Sequence, residues 1–401
     1  MSIGKVLGCT LAVLAVAGHV HSDSVFDLEG MGRDIIPATG MTRALGGAVV
    51  AAKDPLSVSI ISPFGSAVAD RLTITGGFTH ISTKSEILDE TKRNTTTYFP
   101  SIGVTVPLKG FSLLTGLFLE KAGRLTLVET DSIYELEIYD AEFRRETSIN
   151  SVPILVSREM HPRLVVSAGV VLSFFDTRER TVIDFRDQSR YDTDDVYDMY
   201  AMGEAFAAGF LLDLDRIRIG GIVRSGADLT GDLEGENRFS GIHTSEDISI
   251  STPSTLCLGI QGRPVEQVLV EVDYHQSPWA EAEIGGRPLT AGSADRWAVG
   301  IQYRGRWFWN ASRYPLLAGY YSQPLDAKGA FTPAADAEDE IIEEFLSVGT
   351  SIPVAGDRGA VTLAFEIGRR EAGAGSTMHE TIYGFSLSVT ALEVWRRAIR
   401  R

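Results

Sequence analysis

The sequence predicts an all-β protein, specifically a transmembrane antiparallel β-barrel of about 14 strands with an N-terminal hatch or plug segment inside the lumen. Three observations predict it. Apolar residues recur at every second position in run after run from residue 71 onward. No segment beyond the N-terminus is a long apolar run. Short turns and long polar stretches join successive runs. A spanning helix needs about 20 consecutive apolar residues. A barrel strand hides that signal, because only alternate side chains face lipid.

The chain opens on a pattern that reads as a signal peptide over 1–22. Lys5 supplies the positive charge, Val6 to Gly18 the apolar stretch, and Val20-His21-Ser22 the cleavage region. Cys9 falls within it and would be removed. That leaves Cys257, flanked by Leu256 and Leu258, as the one mature cysteine. A lone thiol forms no internal disulfide, so backbone pairing must hold an exported chain of this size.

Residues 23–70 are rich in Gly, Ala and Pro and do not alternate. Met41 to Ala52 reads as a short helix, and Asp54-Pro55 restarts the chain, since the residue before proline avoids the helical region. A second short helix or turn is expected before Ser62-Pro63-Phe64-Gly65. This stretch is too small to form its own core. It requires a place to be buried, and barrels of this width accommodate internal plugs.

Strands are read near 71–80, 98–108, 111–120, 143–157, 163–176, 200–213, 215–226, 247–261, 265–275, 295–305, 315–325, 341–353, 358–369 and 380–391. In the last, Thr381, Tyr383, Phe385, Leu387 and Val389 oppose Ile382, Gly384, Ser386, Ser388 and Thr390. Such alternation puts one face in an apolar medium and the other in a polar or crowded one. Short turns are read at Lys109-Gly110, Asp213 to Asp215 and Gly262 to Pro264. Long loops are read at 121–142, 177–199, 227–246 and 326–340. Trp297, Trp307, Trp309, Tyr314, Tyr320 and Tyr321 lie near strand ends, where aromatic girdles form. The barrel is assigned to 71–392 and a basic periplasmic tail to 393–401.

The net charge of −16 excludes nucleic acid as a partner. Acidic runs at Asp192 to Asp198 and Asp336 to Glu344 read as solvated loop edges. Catalysis has no support: His80, His161, His243, His275 and His379 are scattered, with no H-E-x-x-H, no paired cysteines and no nucleophile elbow. No cofactor and no metal is expected.

Gly40-Met41-Thr42-Arg43-Ala44-Leu45-Gly46-Gly47-Ala48, followed by Ala51-Ala52-Lys53-Asp54-Pro55, resembles the start of the outer-membrane long-chain fatty acid transporter family (FadL/TodX type). Thr147 to Asn150, Arg163 to Gly169 and Glu380 to Val389 resemble its middle and closing strands. The resemblance covers nearly the whole mature chain. It implies a fourteen-stranded barrel in the bacterial outer membrane, an internal hatch, and uptake of hydrophobic compounds released through the wall after hatch movement. The family's Asn-Pro-Ala turn falls on Ser62-Pro63-Phe64, so Ser replaces Asn and Phe replaces Ala. The closing aromatic C-terminus is replaced by a run through Trp395 to Arg401.

Gating candidates are Gly46, Gly47, Ser62, Pro63, Phe64 and Gly65; luminal charge candidates are Arg216, Arg218, Arg224, Glu271, Asp273 and Glu366. These charges either engage a carboxylate head group or pair across the lumen. The expected partners are a hydrophobic small molecule, such as a fatty acid or aromatic hydrocarbon, and outer-membrane lipids, with the protein a monomer. Two readings stay open beside uptake: a general diffusion porin, and a barrel that holds a binding or secretion-associated partner protein.

Overall fold

A computed structural model describes residues 32–36, 39–54, 56, 58–87, 90–134, 137–185, 192–288, 295–305, 314–328, 340–354, 358–372 and 378–393. The expected signal peptide, Trp307, Trp309 and residues 394–401 of the tail lie outside these.

Among the described residues the chain makes fourteen wall spans in sequence order. They are β1 (Leu72–Ile87), β2 (Glu90–Tyr98 and Ser101–Leu108), β3 (Phe111–Tyr134), β4 (Glu137–His161), β5 (Leu164–Phe185) and β6 (Thr193–Leu214). Then come β7 (Ile217–Arg224 and Ala227–Asn237), β8 (Ile242–Thr252 and Thr255–Val265), β9 (Val268–Gln276) and β10 (Arg296–Tyr303). The last four are β11 (Leu316–Lys328), β12 (Glu340–Val354), β13 (Gly359–Ala372) and β14 (Met378–Glu393). Each pairs antiparallel with the next, and β1 pairs with β14 from Leu72↔Glu393 to Ile87↔Met378. That last pairing closes the barrel and removes the sheet edges that would otherwise seek partners.

The closed sheet sorts the alternating residues as the pattern requires. Outward side chains such as Phe206, Val348, Leu346, Phe365 and Tyr383 are about half exposed or more, at 63%, 57%, 59%, 55% and 53%. Inward neighbours such as Ala364 and Ile382 are fully buried. A belt of exposed apolar side chains around a closed sheet suits a lipid solvent. Phe365 and Phe385 pack together on this face, ring centroids 5.1 Å apart, and Tyr274 packs on Trp297 at 4.8 Å. Tyr320 faces out, but Tyr321 does not belong to the aromatic girdle: it points inward, buried, and stacks on Phe345 at 5.0 Å. Adjacent residues of a strand face opposite sides, so only one of the two tyrosines can reach lipid.

The stretches read as long loops are largely extended hairpins. β3 and β4 run to Tyr134 and from Glu137, and β7 and β8 continue as a hairpin from Ala227 to Thr252. β5 and β6 extend to Phe185 and from Thr193. Charged residues here reach complementary partners on the neighbouring strand, directly or diagonally: Arg145 donates to Glu179 at 2.6 Å, and Arg180 makes two 2.8 Å bonds to Asp194. Cross-strand pairs of this kind let a polar sequence stay in a sheet. The turn after β8 is at Glu266 and Gln267 rather than Gly262 to Pro264, because the strand continues to Val265.

The described residues of 39–68 pack against the inward faces of the strands. Helix α1 (Gly40–Ala44) is capped by Thr39, whose hydroxyl accepts from the Thr42 amide. It is shorter than the expected Met41 to Ala52 because Gly46 and Gly47 take positive φ, 64° and 86°, and end it. A 3-10 turn, Pro63–Val68, begins at Pro63 rather than before it.

Candidate functional site

The strands place their inward side chains around the N-terminal segment, and two groups of contacts hold it. On β9, Asp273 accepts from the amides of Val49 and Val50 at 2.6 and 2.8 Å, and Glu271 accepts from Ala51 at 2.6 Å. Positions 271 and 273 share the inward face because they are two apart on a strand. On the other side, Arg43 donates to Glu366 of β13 at 2.7 Å and to the Tyr98 hydroxyl of β2 at 2.5 Å. Gly40 donates its amide to Ser388 of β14 at 2.9 Å. Charge-assisted bonds are stronger than neutral ones, and in a buried setting removal of one partner strands the other.

The remaining gating candidates are packed into the same segment. Gly46 lies so close to β11 that an added Cβ would sit 2.7 Å from the Tyr320 nitrogen. An added Cβ on Gly47 would press on Ile36 at 3.1 Å. Ser62 donates to the Ala52 carbonyl at 3.2 Å. The Pro63 carbonyl accepts from Ser157 of β4 at 3.2 Å. Phe64 is fully buried with Ala51, Val165 and Leu211, and Gly65 lies against the Asp54 backbone.

The luminal charge candidates divide. Arg218 bonds Asp213 at 3.1 Å and Gln261 at 2.9 Å, and Arg224 reaches across the lumen to Glu120 of β3. Glu271, Asp273 and Glu366 hold the N-terminal segment, as above. Arg216 is not luminal: it is exposed in the turn between β6 and β7, where Asp215 takes a positive φ of 66°. Its place two residues before Arg218 suggests a shared face, but the strand starts only at Ile217.

Above the tethered segment lies a cavity of about 120 Å³. Ile60, Ile61, Ile222 and Cys257 give it apolar walls; Trp279, His275, Arg296, Lys121 and Arg224 also line it. Two irregularities in the wall build it. In β3 the register shifts between Leu119 and Lys121, so that Glu120 bonds Arg224 and Ser151 while Lys121 bonds Asp34 at 2.9 Å. Between β8 and β9 pairing stops at Leu256↔Gln276 and resumes at Ser251↔Glu283, with Glu283 beyond the detour. That detour carries Trp279 inward, where the Lys121 Nζ sits 4.2 Å from its ring centroid.

The wall is also incomplete beside the cavity. β2 and β3 pair from Leu108↔Phe111 up to Ser101↔Phe118, and the Leu119 amide donates to Pro100 at 3.0 Å. Above this point Glu90–Tyr98 pairs with β1 alone among the described residues. The freed edge of β3 is taken by the two-residue strand Arg33–Asp34, which pairs with Ala122 and Lys121. A proline at position 100 offers no amide to continue the ladder.

Sequence reasoning did not single out Tyr98, Glu120, Lys121, Trp279 or Arg296. A bulge and an inward detour shift the period-two phase, and no local pattern marks where they fall. Among the described residues no group of three or more His, Cys, Asp or Glu is placed to hold a metal.

The fold is shared with solved structures at low sequence identity. The monoaromatic hydrocarbon channel CymD aligns with a TM-score of 0.61 and 13% identity over 90% of this chain and 99% of its own. A FadL homologue of Pseudomonas aeruginosa aligns at 0.60 and 12% over 90% and 99%. The toluene transporter TbuX of Ralstonia pickettii aligns at 0.59 and 16% over 92% and 100%. No protein-family model and no curated protein matches the sequence.

Proposed function

We propose that the chain is a monomeric bacterial outer-membrane passage for hydrophobic small molecules, gated by residues 40–65 as a hatch. One observation carries this reading: a cavity with apolar walls inside a barrel whose outer face is apolar, bordered by the tethered N-terminal segment. The similar folds are those of proteins described as hydrocarbon channels and toluene transporters, which supports the same class of solute.

The physical case is direct. A hydrophobic solute gains roughly 25 cal/mol for each Å² of apolar surface removed from water. A water-filled pore offers none of this, whereas a cavity walled by Ile60, Ile61 and Ile222 does. The unpaired stretch between β2 and β3 stands beside that cavity, with Asp34, Glu120 and Lys121 lining the one and edging the other. Displacement of the Arg33–Asp34 strand would open the wall to lipid, so the solute would leave sideways and avoid a second transfer into water. The N-terminal segment packed against the inward faces of the strands also speaks against a general diffusion porin.

The test is reconstitution. Proteoliposomes should take up a labelled hydrophobic probe such as toluene well above protein-free liposomes, while swelling in sugar solutions stays slow. Fast sugar swelling with no gain in hydrophobic uptake would overturn the proposal.

A further inference from the structure

Tyr98 ends the first part of β2, where the ladder to β3 is broken. It lies opposite Thr79 of β1. Alternation along the strand turns its ring inward, 1% exposed, while Phe99 points outward at 58%. The ring belongs to one buried cluster with Ile35, Ile36 and Ala48 of the N-terminal segment and Leu119 and Ala122 of β3.

Two arginines share its hydroxyl. Arg43 Nη2 donates to it at 2.5 Å and Arg33 Nη2 at 3.1 Å. Their guanidinium carbons sit 5.5 and 5.7 Å from the ring centroid. Arginine only donates, so the phenol oxygen accepts both bonds. The ring face adds its own attraction for a cation.

The two arginines belong to different parts of the molecule. Arg33 lies in the two-residue strand that covers the edge of β3, and Arg43 lies in α1. They are not secured alike. Arg43 is also fixed from its other side, where Nη1 donates to Glu366 at 2.7 Å. The guanidinium is planar and rigid, so the bond to Glu366 sets the direction of Nη2. Arg33 bonds the Tyr98 hydroxyl, and its Nε has no hydrogen-bond partner among the described residues.

A chain of dependence runs through these groups. Glu366 orients Arg43, Arg43 holds the Tyr98 oxygen, and that oxygen receives Arg33. Resting on the passage reading above, we propose that Tyr98 is a positioning residue that couples the hatch to the wall. Seated, α1 keeps Tyr98 where it clasps Arg33. Withdrawal of α1 frees the phenol and releases the Arg33–Asp34 strand from β3, so the wall opens after the hatch and not independently of it.

Hydrogen exchange of the full-length protein in detergent, read at amides 33–35, tests the coupling. The Ile35 amide reports directly, because it donates to the Glu120 carbonyl at 2.7 Å. Tyr98→Phe keeps the ring and removes the shared oxygen. It should speed exchange at 33–35 by about tenfold, the scale of one hydrogen bond to a charged group. Amides 49–51, held by Asp273 and Glu271, should keep their wild-type rates. Glu366→Ala should also speed 33–35, and the double variant should be no faster than Tyr98→Phe alone. Arg33→Met breaks the same link from the other end and should likewise be insensitive to Glu366→Ala, which keeps the test open if Tyr98→Phe fails to fold. Effects that multiply in the double variants, or no effect of Glu366→Ala at 33–35, overturn the coupling. Uptake of labelled toluene by proteoliposomes separates the two readings. Coupled exchange with no uptake by any variant would sink the passage reading alone. Uptake above protein-free liposomes with multiplying exchange effects would sink the coupling alone.

Discussion

Arg43 meets Glu366 with its Nη1 2.7 Å from the carboxylate Oε2, 323 positions away in sequence and buried on both sides. This pair ties the N-terminal segment to β13, while Asp273 and Glu271 tie it to β9. In addition to the apolar packing of residues such as Val49, Val58 and Phe64, the segment is thus held at two places on the wall by buried charged side chains. Such contacts fix one position strongly and lose most of their hold once a single partner is withdrawn.

Glu366→Ala should therefore free α1 and leave the barrel closed. Loss of one partner of a buried pair costs about 3–5 kcal/mol. The check is limited proteolysis of reconstituted protein: cleavage within 40–65 should rise, while the barrel resists as before. Unchanged cleavage would show that the pair does not restrain the segment.

Asp273→Ala strands two backbone amides. Hydrogen bonds to charged groups contribute about 1.5–3 kcal/mol each. The variant should raise the rate of hydrophobic probe uptake in proteoliposomes severalfold by weakening the floor of the cavity. Asp273→Asn, which keeps one acceptor oxygen, should fall between the two. An Asp273→Ala variant with wild-type flux would remove β9 from the gate.

Val348→Arg tests the lipid-facing belt. Val348 is 57% exposed on the outward face of β12. Arginine near the bilayer midplane costs about 2–4 kcal/mol. Folding equilibria measured by denaturant titration into lipid vesicles should show that loss. A change under about 0.5 kcal/mol would place this face in water.

The hairpin extension of β5 and β6, beyond the membrane belt, should respond to acid. The bonds from Arg180 hold the Asp194 carboxyl below its ordinary value of 3.8. A carboxyl depressed by folding adds stability above that ordinary value, and the contribution is lost as pH falls through the lower folded value. Hydrogen exchange at 180–185 and 192–195, corrected for intrinsic rates, should therefore accelerate in strong acid. Arg180→Gln should remove that pH dependence.

The strands were legible because lipid imposes a period of two on the outer face, and Tyr383, Phe385, Leu387 and Val389 carry it without interruption. The closure of β1 on β14 followed from that pattern and an even strand count. Strand ends were not legible. Arg145, Glu179, Arg180 and Asp194 read as loop residues alone and become sheet residues only through their cross-strand partners. Glu271 and Asp273 were visible as inward charges, yet their partners are backbone amides of residues 49–51, which no side-chain pattern reveals. The cavity was hidden altogether, because it depends on the shift at Glu120 and the inward detour that carries Trp279.

A reversible lock between α1 and β14 tests the gate most directly. Gly40 donates to Ser388 at 2.9 Å, and a Cβ placed on Gly40 would lie 3.5 Å from the Ser388 Cβ, within reach of a disulfide. In the Gly40→Cys, Ser388→Cys double variant, uptake of a hydrophobic probe by proteoliposomes should fall at least tenfold on oxidation and recover on reduction. Uptake that stays the same in both redox states would contradict a hatch at residues 40–65.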